Sequence, residues 1–418
     1  MKIVAFLHLN SLGGSEKAAV RWAWGLKARG HDVRVLSVED GLRRTELEQR
    51  GLPVRITGAS ASEIADALKE LAPQAIHVHA PGQPHAGDIM GEALTLLPGK
   101  IPVVQTNIFG RLENRREDSW TDFRLFISWT SCVQAARRSY RRLDESFFRR
   151  ASVAVYPLDP VDAPPATTIR AFRERLGVSD HEVLFGRISR PEPNKWTDLA
   201  LDAFRIASRK VSGIKFLLRE PPPKVVEALR ASPDADRFVI MRATQDVGEL
   251  QLTMASLDAV IHTSSMGESF GYGVAEPMNL GKPVVTHSVP WADQAQIELV
   301  REGESGFVAS TPSAMARAIT ALAENRARRE AMGAKARAHI RELTNPAVSL
   351  DRMENAFRAV LDGRDNPLMH EDLEQARRAA KHLDAHQFGH SLLEQLALRP
   401  FYYRVQFHLW RKRQSAAA

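Results

Sequence analysis

Residues 266–283 read MGESFGYGVAEPMNLGKP. Two carboxylates, Glu268 and Glu276, stand in this stretch with seven residues between them, among Gly267, Gly271, Gly273 and Gly281. Leu257–His262, just upstream, is a short apolar run of strand type, and Lys282–Thr286 begins the next one. The order is strand, glycine-rich turn, helix, strand, which predicts an α/β domain.

A helix that opens on bare glycine amides offers N–H donors and a positive dipole end to a phosphate. Glu268 lies before the predicted helix and Glu276 inside it. At about 1.5 Å of rise per residue, the two acids sit roughly 10 Å apart. Carboxylates accept hydrogen bonds from sugar hydroxyls. One acid can therefore hold a sugar and the other a ribose, with a diphosphate between them at the helix mouth. The competing reading is a solvated acidic surface helix.

The stretch resembles the E-x7-E signature of retaining GT-B glycosyltransferases, particularly the large family-four group. Phe270-Gly271 matches the family's F-G, and Gly281-Lys282-Pro283-Val284 its G-x-P-V. The resemblance implies that Glu268 contacts the donor sugar, with Ser269, Phe270 and Gly271 beside it, and that Glu276 contacts the nucleotide ribose. Pro277 stands where the family usually has alanine. Proline is tolerated in a first helical turn, so the helix is expected to start near Val274.

The chain opens in the same style. Lys2–His8 reads as a buried strand, Leu9–Glu16 as a glycine turn, the residues to Arg29 as a helix and Val33–Val38 as a second strand. Gly13 and Gly14 let the backbone approach a phosphate. A plain loop is an equal reading of two glycines alone. The resemblance matches GGSE to the family's G-G-x-E loop, and so implies that the Gly14 amide faces the donor diphosphate. Further strands are expected at Val54–Ile56, Ala75–His79 and Val103–Gln105, in a mainly parallel sheet. Ligands in such sheets bind beyond the carboxyl ends of strands. His79 and Asn107 fall there and are catalytic candidates, although a structural role is the commoner one for such a histidine. The family often carries a histidine near Asn107, so that contact does not transfer directly.

Residues 108–150 hold ten arginines against six acids, with Trp120, Trp129, Tyr140, Phe147 and Phe148 interleaved. Two readings stand: a basic helical face with aromatic anchors on an anionic membrane, or a solvated arginine-rich surface over buried aromatics. Ser152–Tyr156 reads as the last strand of the first domain. Pro157–Thr168 has four prolines and reads as a stiff linker.

In the second half, Gly186-Arg187-Ile188 ends a strand that begins at His181, and Lys195 opens the next helix. Arginine is a forked phosphate clamp and lysine a mobile point charge. The pair resembles the family's G-R…K-G element, which implies that Arg187 and Lys195 neutralise the donor diphosphate. Strands follow at Lys215–Leu218 and Phe238–Met241, and Arg242–Thr244 lies where the family binds the base, so Arg242 and Thr244 are base-side candidates. Asp234-Ala235-Asp236 spells a metal-binding D-x-D, but on a polar loop, and reads as a turn; no metal is expected. Pro290-Trp291-Ala292-Asp293 replaces a family Gly-Gly segment.

The domains expected are 1–160, 161–345 and a basic amphipathic helical tail over 363–418, with a helix near 346–362 returning to the first domain. The tail's last part, Arg399–Ala418, has five Lys or Arg, no acids and five aromatics; a membrane anchor and a partner-docking helix are equal readings. One cysteine, Cys132, excludes an internal disulfide and a cysteine zinc site, and fits a reducing, cytoplasmic setting. No apolar run is long enough to span a membrane. The net charge of +7 admits anionic partners, but no nucleic-acid motif accompanies it, so nucleic acid is not expected.

The resemblance implies two Rossmann-like, doubly wound domains facing a cleft. It implies a retaining hexosyl transfer without metal or cofactor, from a UDP- or GDP-sugar to a saccharide or lipid-linked acceptor, in cell-envelope or polysaccharide biosynthesis. Location at the inner face of the cell membrane is compatible with the basic segments. The rival expectation is a glycosyltransferase-like scaffold that has lost chemistry.

Overall fold

The computed structural model describes residues 1–7, 13–80, 88–112, 115–139, 141–190, 192, 195–289 and 292–388. The first sheet holds β1 (Lys2–Phe6), β2 (Asp32–Ser37), β3 (Val54–Ile56), β4 (Ala75–Ala80), β5 (Val103–Asn107), β6 (Phe123–Phe126) and β7 (Ala151–Val153). Its order is β3-β2-β1-β4-β5-β6-β7, parallel throughout. Later strands are β8 (Val183–Ile188), β9 (Ile214–Arg219), β10 (Phe238–Met241), β11 (Ala259–Ile261), β12 (Gly267–Glu268), β13 (Val284–Thr286), β14 (Asp293–Gln294) and β15 (Gly306–Val308). The second sheet runs β10-β9-β8-β11-β13-β15, again parallel, while β12 and β14 pair by themselves. Both large sheets reverse direction of winding beside their first strand, which makes each a doubly wound Rossmann-like unit.

Helices cover both faces of such sheets, so central strands read as continuous apolar runs. β4 is the clearest case: AIHVHA is buried at all six positions, His77 and His79 included. Both histidines find hydroxyls, His77 Nε2 on Thr106 Oγ1 at 2.8 Å and His79 Nε2 on Tyr156 at 2.9 Å. Strand β6 was hidden in the sequence by the arginines around it.

The irregular stretch after Tyr156 leads to a helix at Ala166–Arg175, a little earlier than expected. After Leu343 the chain crosses back. Helix Pro346–Leu361 packs on β5, β6 and β7. Trp22 Nε1 donates to Ser349 Oγ at 2.9 Å, and Phe357 is fully buried. Helix Met369–Phe388 then lies along helix Trp129–Arg138, pinned by Asp372, which is fully buried and paired with Arg352 at 2.5 Å.

The arginine-rich segment departs from an outward basic face with aromatic anchors. Phe126 and Phe148 are fully buried. Arg137 pairs with Asp384 at 3.0 Å, Arg138 with Asp293 at 3.4 Å and Arg141 with Asp118 at 2.6 Å. Phe148 thus belongs to the core, and Arg137, Arg138 and Arg141 each answer an acid on another element. Tyr140 and the tail at Arg399–Ala418 lie outside the described residues. Among the described residues no helix is long and apolar enough to cross a membrane. Asp234-Ala235-Asp236 forms a turn entering a short 3-10 helix, and Asp234 pairs with Arg205 at 3.1 Å.

Candidate active site

Helix Tyr272–Asn279 starts two residues before Val274, because Gly271 adopts φ +102° and turns the chain into it. Pro277 therefore sits inside the helix. Just before it, Gly267 has φ +62°, and a Cβ there would lie 1.6 Å from the carbonyl oxygen of Asp293. Only glycine lets β12 close on β14 at that point. Gly267→Ala is expected to cost roughly 3 kcal/mol or more, from left-handed strain and overpacking together. Urea denaturation measures this; an unchanged midpoint contradicts the close approach.

The next residue, Glu268, is gripped on every side. Lys195 Nζ contacts both carboxylate oxygens at 2.9 Å, and His262 Nε2 contacts Oε1 at 3.1 Å. The Glu268 backbone N–H donates to Gln296 Oε1 at 2.9 Å, and Gln296 Nε2 donates to His287 O at 3.1 Å. Burial by itself raises the Glu268 carboxyl, but Lys195 and His262 outweigh it and hold the group at about 2. Arg187 lies behind this pair, 1% exposed, its guanidinium carbon 3.8 Å from the centre of the Trp196 ring. Its Nη2 donates to the carbonyls of Lys195 and Thr263. Nε and Nη1 are buried without an acceptor among the described residues. Burial pushes the guanidinium down to about 9, opposed by Glu268, so it remains a cation at neutral pH. Two buried, unpaired donors on a cation constitute a site shaped for an anion.

The first domain meets this wall directly. Helix Gly14–Ala28 begins at Gly13, and a Cβ on Gly14 would lie 2.6 Å from Tyr272 Cδ2. Lys17, one turn on, pairs with Glu276, and its ammonium lies 5.4 Å from the Tyr272 ring centre. Tyr272 stacks on Tyr156, and its hydroxyl donates to Pro157 O at 3.3 Å. Lower down, Ser128 Oγ donates to Ser269 O at 3.0 Å. Glu298 accepts the N–H groups of Trp129 and Thr130 at 3.2 and 2.9 Å, capping a first-domain helix from the second domain.

Two family models match the chain: "Glycosyl transferase 4-like domain" over residues 13–163 and "Glycosyl transferases group 1" over 168–339. Between them they cover every strand of both sheets except β1. The chain belongs to the GT-B glycosyltransferases. Among solved structures, HepE from Anabaena in complex with UDP superposes with a TM-score of 0.71 at 19% identity, over 86% of this chain and all of that one (100%). A glycosyltransferase from Rickettsia africae gives 0.72 at 14% identity, over 86% and 98%. Sucrose-phosphate synthase from Thermosynechococcus elongatus gives 0.64 at 14%, over 87% and 100%. At such identities these establish the fold alone. No curated relative matches the chain by sequence.

In this glycosyltransferase, Arg187, Lys195 and Glu268 form one cluster, and Glu276 joins Gly14 through Lys17 and Tyr272. Other expected site residues lie elsewhere. Phe270 is 3% exposed and packs edge-on against Tyr156 and Tyr272, so its ring is core between the domains rather than a wall of the donor site. The Asn107 side chain is spent on its own loop: Nδ2 donates to Arg111 O at 2.6 Å and Oδ1 accepts from Arg111 N at 3.0 Å. His79 stacks on Tyr156 deep in the first domain. Arg242 is exposed beyond β10, and Thr244 Oγ1 donates to Glu249 at 2.7 Å. Pro290 and Trp291 lie outside the described residues. The reading of the sequence missed His262, Gln296, Lys17 and Glu298. Of these only His262, one residue past β11, carried a signal, its place at a strand's carboxyl end.

Two buried histidines predict a loss of stability in acid. Burial lowers His77 to about 4 and His287 to about 3, against 6.5 in the unfolded chain. A base depressed on folding contributes stability above 6.5 that is lost as pH falls toward the folded value. The melting temperature is therefore expected to fall steadily from pH 6.5 toward 4. A flat profile over that window contradicts neutral burial of both rings.

Proposed function

We propose that this protein transfers a hexose from a UDP- or GDP-sugar to a saccharide or lipid-linked acceptor, with retention of anomeric configuration and no metal. The observation that carries the reading is the Arg187–Lys195–Glu268 cluster at the mouth of helix Tyr272–Asn279. The bond from the anomeric carbon to the β-phosphate oxygen breaks, and the acceptor oxygen bonds to the same face of that carbon. The released phosphate oxygen takes the acceptor's proton. Negative charge grows on the diphosphate, and the donors Nε and Nη1 of Arg187, the Lys195 ammonium, the helix mouth and the Gly14 amide stabilise it. Glu268 accepts from sugar hydroxyls. Glu276 takes the ribose, exchanging Lys17 for it. The acceptor binds on the first-domain side, and closure of the seam keeps water from the sugar.

Uridine is favoured by HepE, which was crystallised with UDP-glucose, and a hexose also by the sucrose-phosphate synthase. A cytoplasmic protein working at the inner face of the cell membrane, in envelope or polysaccharide synthesis, is the setting we propose. The test is a thermal-shift panel of UDP- and GDP-sugars, followed by assay of transfer and donor hydrolysis. A ligand that binds only the native state raises the melting temperature. No shift with any donor counts against the reading; binding without turnover favours a non-catalytic scaffold.

A further inference from the structure

Among the described residues Glu268 has two side-chain holders, and only Lys195 belongs to the G-R…K-G-like element. The other, His262, lies immediately after β11 and is 4% exposed. Its backbone N–H donates to Val285 O at 2.8 Å, which fixes it to the sheet. Its ring is wedged against the first turn of helix Tyr272–Asn279. A Cβ on Gly273 would lie 3.5 Å from the ring's Nδ1 and 3.3 Å from Ile188 O. The ring thus occupies a slot that glycine keeps open, with Nε2 directed at Glu268 Oε1.

We propose that His262 is the positioning residue for Glu268: it keeps the carboxylate aimed at the donor sugar when Lys195 turns to the diphosphate. This rests on the donor reading given above. Lys195 is the mobile partner. Its ammonium sits on a flexible four-carbon stem, and an arriving diphosphate offers it two negative charges. Glu268 is 15% exposed, and a carboxylate so buried is poorly tolerated once its only partner leaves. His262 prevents that. Because the carboxylate is ionised, Nε2 must carry a proton and donate, whatever the state of Nδ1. The imidazole has two side-chain torsions, both restrained by the slot, so it fixes Oε1 at little entropic cost. Oε2 keeps lone pairs for sugar hydroxyls. Glu268 is bonded to the ring and His287 lies within electrostatic reach of it, while Lys195 and Arg187 act on Glu268; no other acid is hydrogen-bonded to Nε2 among the described residues.

The experiment uses the full chain and its His262→Leu, His262→Asn and His262→Gln variants. UDP-glucose and GDP-mannose are the turnover probes, and free UDP and GDP the binding probes. The Gln amide reaches the place of Nε2, whereas the Asn amide reaches only that of Nδ1. Leu and Asn are expected to lower kcat about 30-fold, the effect of a misaimed reacting group, with nucleotide Kd within about threefold of wild type. Gln is expected to recover most of the loss. Should the Leu variant not fold, the contrast between Asn and Gln decides. Wild-type turnover in the Asn variant overturns the role of His262 alone. So does equal loss in Asn and Gln with weakened nucleotide binding, which marks a structural residue. A wild-type protein that neither binds these nucleotides nor turns over these sugars overturns the donor reading, and this inference with it.

Discussion

Arg187→Met is expected to reduce transfer about 1000-fold while leaving the fold at least as stable as wild type. The activity loss follows from position. The guanidinium holds two buried donors that meet no acceptor among the described residues, and it stands behind the Lys195–Glu268 pair. In the proposed reaction, those donors would meet the charge growing on the departing diphosphate at no cost of reorganisation. The stability follows from the same feature. A cation that is 1% exposed has lost its water, and among the described residues only its Nη2 is hydrogen-bonded, to the carbonyls of Lys195 and Thr263. Methionine removes the buried charge and both orphan donors, and keeps contact with the Trp196 ring. The two carbonyls lose one donor, a smaller penalty because under-satisfied carbonyls are tolerated better than orphaned N–H groups. Thermal melts with and without UDP and GDP separate the two claims. Wild-type melts without nucleotide, together with loss of any nucleotide-induced shift, are the expected result. A variant that melts well below wild type would show Arg187 to be structural.

Such a residue stands out as a candidate in the sequence because its signal is local. A glycine-flanked arginine at a strand end, followed by a lysine at the next helix, needs no knowledge of the rest of the chain. The same holds for Glu268, Glu276 and Gly14, and for both parallel sheets, whose strands are short apolar runs. Position within a motif did not tell which way a ring faces. Phe270 sits beside the acid but turns into the aromatic packing with Tyr156 and Tyr272. Asn107 occupies a strand end but satisfies its amide four residues on, an asparagine's usual use in a tight loop. Strand β6 escaped because its four residues, FRLF, are strand-like only between β5 and β7; alone they merge with the arginines around them. The seam was least legible. Lys17 with Glu276 and Glu298 with the helix at Trp129 join residues far apart in sequence, and each partner alone is an ordinary surface charge.

Glu268→Gln is expected to lower transfer at least about 100-fold and to remove a stability increment that depends on pH in a defined window. Glutamine keeps the shape and one acceptor oxygen but loses the charge that balances Lys195. In the folded wild type the carboxyl titrates at about 2, against 4.5 when unfolded. An acid depressed on folding contributes stability that is complete above 4.5 and vanishes as pH falls toward 2. With Glu268 15% exposed, that shift corresponds to roughly 3 kcal/mol near neutrality. The variant should thus be less stable than wild type by about this amount at pH 7 and still so at pH 5, with the gap narrowing between pH 4.5 and 3. Urea denaturation at pH 7, 5, 4 and 3 measures it. A gap that stays constant down to pH 3 would mean that shape, rather than the ion pair with Lys195 and the bond from His262, holds this loop. A closing gap with intact transfer would keep the electrostatics and strip Glu268 of its place at the sugar.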